Sequence, residues 1–456
     1  MIYPEVAKLN QDEILRLCRE YRRNNFIDPE VSEALDVKRG LRNADGSGVL
    51  AGLTNIADAR GYRRGENGEL IPTEGKLIYR GIDIETLTEA ALKEDRFMFE
   101  ETVWLLMFGS LPDRRQLERF CHLLEEHRDL PDGFAETMIM GAPSPDIMNK
   151  MARSVLAMYS YDEKAEDTSL ENIINQSINL VAQIPTMMIY AYQTKRHVYE
   201  HKTMYFHFPT PGQSTAEHIL STYRITQDFT HEEAKLLDLC LMVHADHGGG
   251  NNSAFTDRVI SSTGTDTYSA IAGALVSLKG PKHGGANRKV MRQTEEMLRN
   301  IENTDDPKQV KEYLKKILCR VAGDGTGLIY GVGHAVYTLS DPRAVLLRRH
   351  AEKLAYAKGY GKEYRLLCMI ADLAPEAFME VKGTKKPICA NVDLFSGLIF
   401  KILGIEEDLF TPIFAIARCA GWCAHRMEEV EFSNRIIRPA YKYVGNESDY
   451  IPIDKR

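Results

Sequence analysis

Several short stretches of the chain put groups capable of chemistry where the surrounding pattern breaks. In His244-Ala-Asp-His247-Gly-Gly-Gly-Asn251, an apolar helical repeat carrying Leu237 and Leu241 runs into paired histidines and then glycines. Glycine at a helix end permits left-handed backbone and close approach. The plain reading is a helix cap with structural histidines. Two His and an Asp also suit a metal, but no HExxH and no third ligand stand nearby. In Gly280-Pro-Lys-His283-Gly-Gly-Ala-Asn287, Gly-Pro stops a helix and a new helical pattern opens near Asn287. The electropositive start of a helix disfavours a further proton on the ring, so His283 suits a neutral hydrogen-bond donor. The alternative is a glycine hinge with an exposed histidine. Gly331-Val-Gly-His334-Ala-Val-Tyr337, followed by Asp341-Pro-Arg343, has Gly-Asp-Gly-Thr-Gly upstream. Together these mimic a nucleotide loop. No clear strand precedes them, however, and the later acidic residue is missing, which excludes a dinucleotide site.

Two charges sit in apolar runs. Asp393 lies in ICANVDLFSGLIFKIL and Arg418 in FAIARCAGW. A buried lone charge is costly and needs a partner or a task. A desolvated carboxylate has a raised pKa and makes a better general base near neutrality. A buried arginine offers a fork that grips a carboxylate. The plain alternative is that Asp393 and Arg418 pair with each other.

Helices must carry these groups, because helical signals dominate. Asn10-Gln-Asp-Glu13 reads as a capping box ahead of Ile14, Leu17, Cys18 and Tyr21, and Thr230 with Glu233 reads as another. Thr411-Pro412 opens a helix with proline at its first position. Strand alternation is rare and is expected only around Gly75–Gly81, while residues 41–75 read as loops and turns.

The chain has 456 residues, 44% hydrophobic and 27% charged, which suits a globular protein of two or three domains. A net charge of −8 and the lack of any basic block exclude a nucleic-acid arm. No apolar run reaches the length of a membrane span, and the N-terminus lacks the apolar core of a signal peptide. The eight cysteines form no CxxC pair; Cys419 and Cys423 share a helical face with no further ligand pair, and scattered thiols suit a reducing cytoplasm.

Taken together, these motifs resemble the citrate synthase family. The resemblance runs from about residue 41 to the C-terminus. It is carried by GLRNADGSGVLAGLTNIADARGY, HADHGGGNNSAF through GPKHGGAN, GVGHAVYTLSDPRA, NVDLFSGLIFKILGI, TPIFAIARCAGWCAHRMEE and IIRPAYKYVG, in that order. It implies an all-α fold with a large and a small, mobile domain: an N-terminal extension (1–40), the large domain (41–284 and 404–456) and the small domain (285–403), with Gly284-Gly285 as one hinge. It implies condensation of acetyl-CoA with oxaloacetate, with no metal and no tightly bound cofactor. His283 then matches the donor to the thioester carbonyl, Asp393 the base and His334 the group polarising the ketone. His247, Asn251, Arg343 and Arg418 match the oxaloacetate ligands, and Arg438 an arginine given across a homodimer interface. Leu328, Gly331, Val332, Gly333 and Asn391 match the CoA side. The chain departs from many bacterial members at Ala335, Thr338 and Ala440, where they carry cations for the CoA phosphates. The basic run Lys382, Lys385 and Lys386 is expected to compensate in part. The rival readings are a 2-methylcitrate synthase acting on propionyl-CoA, a metallohydrolase built on His244, Asp246 and His247, and a non-catalytic helical binding protein.

Overall fold

The computed structural model describes residues 10–455 except Ala44, Lys385 and Asn434, and of Asn24 only the backbone. Lys385, part of the basic run noted above, therefore lies outside the described residues. The chain divides into two units, Gly52–Ile437 and the two chain ends, Met1–Ala51 with Arg438–Arg456. The unit of the chain ends holds the helices Gln11–Asn24 and Pro29–Ala34. Asn10 caps the first through the backbone N–H of Asp12, while Glu13 pairs with Arg16 instead of closing a capping box.

The larger unit is mostly helical, as the motif order implies. Its axis is the helix Phe410–Phe432, which carries apolar or small residues on every side and is buried through Met427. A helix apolar all round belongs inside a protein. The helices Leu170–Glu200, His231–His244, Asn252–Ser261 and Thr267–Lys279 pack around it. The helix begins at Phe410, two residues before Pro412, so the proline does not occupy the first position. Thr411 instead donates to the carbonyl of Gly284. Thr230 and Glu233 form the expected capping box at the start of His231–His244. No helix among the described residues is long and apolar enough to cross a membrane.

A three-stranded antiparallel sheet interrupts the helical pattern. Strand Ala57–Arg64 pairs with Leu70–Tyr79, so part of the stretch expected to be loops is a hairpin. Charged residues mask its alternation, and Gly65–Glu69 is its turn. The hairpin has a direct bearing on the His334 segment. The register shifts between Arg60 and Tyr62, leaving Gly61 in a bulge. There a Cβ would lie 2.3 Å from the carbonyl oxygen of Val336, and one on Gly75 would lie 2.1 Å from that of Ser340. Only glycine allows this approach, and the N–H of Gly75 donates to Ser340 Oγ at 3.0 Å. The hairpin is thus a backing plate for residues 336–340.

Gly61→Ala is accordingly expected to cost about 1–3 kcal/mol and to lower the midpoint of thermal unfolding. Gly52→Ala, with nothing within 4 Å of the added carbon, should leave the midpoint unmoved. Equal midpoints for both variants would contradict the close approach.

Candidate functional site

Most of the polar residues singled out above sit at helix ends. His247 follows the helix His231–His244, and Asn251 precedes Asn252–Ser261. His283 precedes Ala286–Asn300, His334 lies ahead of Pro342–Ala357, and Asp393 opens Asp393–Ile402. Helix starts present unpaired N–H groups and positive potential, which suits anionic ligands. Arg418 is the exception: it projects from the middle of the buried axis helix.

Arg418 is fully buried. Its Nε donates to the carbonyl of His244 at 2.7 Å and its guanidinium lies 4.9 Å from the ring centre of Phe414. Its Nη1 is buried and makes no hydrogen bond within the protein. Burial pulls its pKa down to about 10, against the charge of Asp246. It does not pair with Asp393; a backbone carbonyl takes that place. Arg343 is different. Asp341 holds it through Nε at 3.0 Å and Nη2 at 2.8 Å. That pairing outweighs burial and raises the arginine pKa, while Asp341 stays below its usual value.

His247 joins the two arginines. Its pKa is driven well down, first by burial, then by the charges of Arg343 and Arg418, with His334 and His283 acting in the same direction when protonated. Its Nε2 is also buried without a hydrogen bond in the protein. Its ring meets His334 at 5.1 Å and Tyr337 at 5.4 Å. His334 is stacked on Tyr337 at 4.7 Å. Nδ1 of His334 accepts the N–H groups of Val336 and Tyr337 at 3.0 and 3.2 Å, which places its ring proton on Nε2.

His283 hangs from Ser253, whose Oγ lies 3.2 Å from Nε2 and receives Trp422 Nε1 at 3.1 Å. Burial and the charge of Arg418 lower its pKa to about 4, so at neutral pH the ring is uncharged. Its neighbour Phe414 stands edge-on at 6.5 Å. Asp393 is pushed up to about 6, chiefly by desolvation, with Arg343 opposing and Asp341 adding to the rise. The carboxylate therefore ionises near neutrality with an unusual appetite for a proton.

Gly331, Val332, Gly333 and Asn391 are brought together. Val332 bridges to Ala390, and the N–H of Asn391 reaches the carbonyl of Gly331 at 2.8 Å, while Asn391 Nδ2 reaches that of Gly333 at 2.8 Å. A Cβ on Gly331 would lie 2.9 Å from the Cα of Leu394. Leu328 is exposed nearby in sequence, its carbonyl taken by Gln293. Of the departures, Ala335 is exposed, while Thr338 is buried. Arg438 is exposed and belongs to the unit of the chain ends.

Sequence reading missed Ser253, Trp422, Tyr337 and Asp341. The last was signalled by its place ahead of Pro342-Arg343; a serine in Asn-Asn-Ser-Ala-Phe carries no such signal. In the metal reading, His244 is spent on the carbonyl of Cys240 at 2.7 Å. Among the described residues no group of three or more His, Cys, Asp or Glu side chains is arranged to hold a metal ion.

Comparison with known proteins gives the same family throughout. A family model described as citrate synthase, C-terminal domain, matches residues 45–440. A citrate synthase of Haloferax volcanii is 35% identical over 84% of this chain and 93% of its own. A 2-methylcitrate synthase of Corynebacterium glutamicum is 31% identical over 92% of this chain and 98% of its own. A solved citrate synthase of Thermoplasma acidophilum, in ternary complex with carboxymethyl coenzyme A and oxaloacetate, is 26% identical, with a TM-score of 0.74 over 92% of this chain and 99% of its own.

Proposed function

The chain belongs to the citrate synthase family, and from that premise we propose that it condenses acetyl-CoA with oxaloacetate and water to give citrate and CoA. The observation that carries this reading is a pair of buried nitrogens, Arg418 Nη1 and His247 Nε2, each without a partner inside the protein. An anionic ligand is answered by the first as it stands and by the second when its ring proton is on Nε2. They stand beside a histidine whose ring proton is on Nε2 and an arginine already neutralised by Asp341. A small keto dicarboxylate satisfies them all: its carboxylates take Arg418, His247 and Arg343, Asn251 adds a polar contact, and its ketone takes Nε2–H of His334.

The other half of the site handles the thioester. Asp393 removes a proton from the acetyl methyl group, a general-base step worth roughly 10²–10⁴-fold. Negative charge then moves onto the thioester oxygen, where a neutral N–H of His283 stabilises the enol. That role fixes a tautomer. In the structure Ser253 Oγ stands 2.9 Å from Asn251 Oδ1 and 3.2 Å from His283 Nε2. The role requires the one hydroxyl proton on His283 Nε2, the Asn251 amide rotated so that its nitrogen faces the serine, and the histidine proton on Nδ1. The enolate carbon attacks the ketone carbon, the C–C bond forms and the carbonyl π pair moves onto the ketone oxygen, which the Nε2–H of His334 steadies by a hydrogen bond. That oxygen takes up one proton in exchange for the one Asp393 gives back, so the base returns to its carboxylate. Water then splits the citryl thioester, breaking C–S and releasing the CoA thiol. No step calls on a metal.

The CoA side is assigned to Leu328, Gly331, Val332, Gly333 and Asn391, with exposed Lys382 and Lys386 as candidate phosphate partners. In this reading residues 285–403 form the small domain, which closes on substrate about the Gly284 region and excludes water. Arg438 serves a second subunit's site in a homodimer, and the enzyme is cytoplasmic, in keeping with its free cysteines. Propionyl-CoA is the second reading. Two 2-methylcitrate synthases align over 92% of this chain, and one methylene is worth only ~1–3 kcal/mol in a pocket.

Thiol release from acetyl-CoA and propionyl-CoA with oxaloacetate tests both readings. Acetyl-CoA is expected to give the higher kcat/KM, with citrate as product. The reverse order makes the enzyme a 2-methylcitrate synthase, and release from neither ends the proposal. Asp393→Asn should lose nearly all turnover; wild-type turnover in it would remove the assigned base. The ionised carboxylate is the active form and its pKa lies at about 6. Wild-type kcat/KM should therefore rise with pH through about 6 and fall away below it. A profile flat down to pH about 4.5, near the ordinary carboxylate range, would contradict this.

A further inference from the structure

Behind His247 runs a chain of buried polar contacts that the reaction does not itself use. Asp246 is fully buried, and both its carboxylate oxygens stand 3.2 Å from Nε2 of His425. On the far side of that ring, Nδ1 meets Arg258 Nη2 at 2.7 Å and Nε at 3.2 Å. Arg258 is held in turn by Glu429 at 2.9 Å and by Glu428. A guanidinium has only donors to offer, so Nδ1 of His425 must accept. The ring proton is thereby confined to Nε2, facing Asp246. A carboxylate is the matching acceptor: desolvation works to protonate Asp246, but His425, the charge of Arg418 and the N–H of Gly248 outweigh it and hold its pKa down to about 2.

Asp246 uses its charge in two directions. Its Oδ2 accepts the N–H of Gly248 at 2.9 Å, which closes the turn around His247. It is also the first among the charges that keep buried Arg418 protonated. The packing leaves no slack. A Cβ on Gly421 would lie 2.5 Å from Asp246 Oδ1, and one on Gly249 would lie 3.2 Å from Arg258 Nε. The N–H of Gly421 reaches the carbonyl of Ala245 at 3.2 Å, fastening the turn to the axis helix.

We propose that Arg258 and His425 are positioning residues for the keto acid: through Asp246 they aim His247 and supply the counter-charge beside Arg418, given the assignment of those two residues to oxaloacetate. The relay serves one half of the site only. His283, on the thioester half, is held separately by Ser253.

An amide can replace the imidazole, its oxygen accepting from Arg258 and its nitrogen donating to Asp246; leucine can do neither. His425→Leu should raise KM for oxaloacetate by roughly 10- to 100-fold, the scale of a lost hydrogen bond to a buried charge. KM for acetyl-CoA should stay within about twofold, and His425→Gln should recover most of the loss. Arg258→Lys keeps a cation for Glu428 and Glu429 but loosens the hold on Nδ1. It should show the same split more weakly, and it stands in should the leucine variant not fold. Equal rises in both KM values, no recovery by glutamine, or unchanged oxaloacetate KM in a folded leucine variant or in Arg258→Lys would each overturn the relay. Wild-type enzyme that releases no thiol would bring down the functional reading and the relay with it. Wild-type release with no effect of these variants on oxaloacetate KM would bring down the relay alone.

Discussion

Arg418 is a permanent cation buried in the middle of an apolar helix, with a backbone carbonyl on one nitrogen and no carboxylate bonded to it. A buried charge left in this state is expensive, and a protein keeps it only if something later answers it. The surroundings of Arg418 fit that requirement. Asp246 supplies a charge at a remove, Phe414 covers the guanidinium face, and Nη1 is left for an external acceptor. Arg343, by contrast, is already neutralised by Asp341. The site thus holds one committed cation and one uncommitted one, and the proposed function takes the charge and the orientation of its ligand from that difference.

The same economy governs the ionisable groups. His247 and His283 are held neutral by burial and by neighbouring cations. Positive charge therefore stays on the arginines and off these two histidines. Asp393 is shifted the other way by desolvation. The raised carboxylate and the lowered imidazole come from one cause, removal from water, acting on groups of opposite charge type, and both shifts suit the roles proposed for Asp393 and His283.

Much of this was legible in the chain. Glycines beside His247, His283 and His334 marked helix ends, and the apolar runs around Asp393 and Arg418 marked burial. The partners were less visible. Nothing in the local pattern says that Ser253 meets His283 or that His425 meets Asp246, because those contacts join residues 30 and 179 positions apart. The hairpin was hidden for another reason. Ala57–Arg64 alternates weakly, since its exposed side is charged and its bulged Gly61 answers to the 336–340 segment rather than to its own strand. Pairing of Asp393 with Arg418 is the plain alternative that two lone charges leave open, but a carbonyl at a helix end takes the arginine instead.

The role proposed for Arg418 is to wait, buried, for an incoming carboxylate. Calorimetric titration with oxaloacetate alone, without any thioester, tests it most directly on wild type, Arg418→Met and His283→Ala. Wild type and His283→Ala should bind with similar affinity. Arg418→Met should bind at least ~30-fold more weakly, the scale expected for losing one partner of a buried charge pair. Binding by Arg418→Met as tight as that of wild type would mean that no carboxylate answers Arg418.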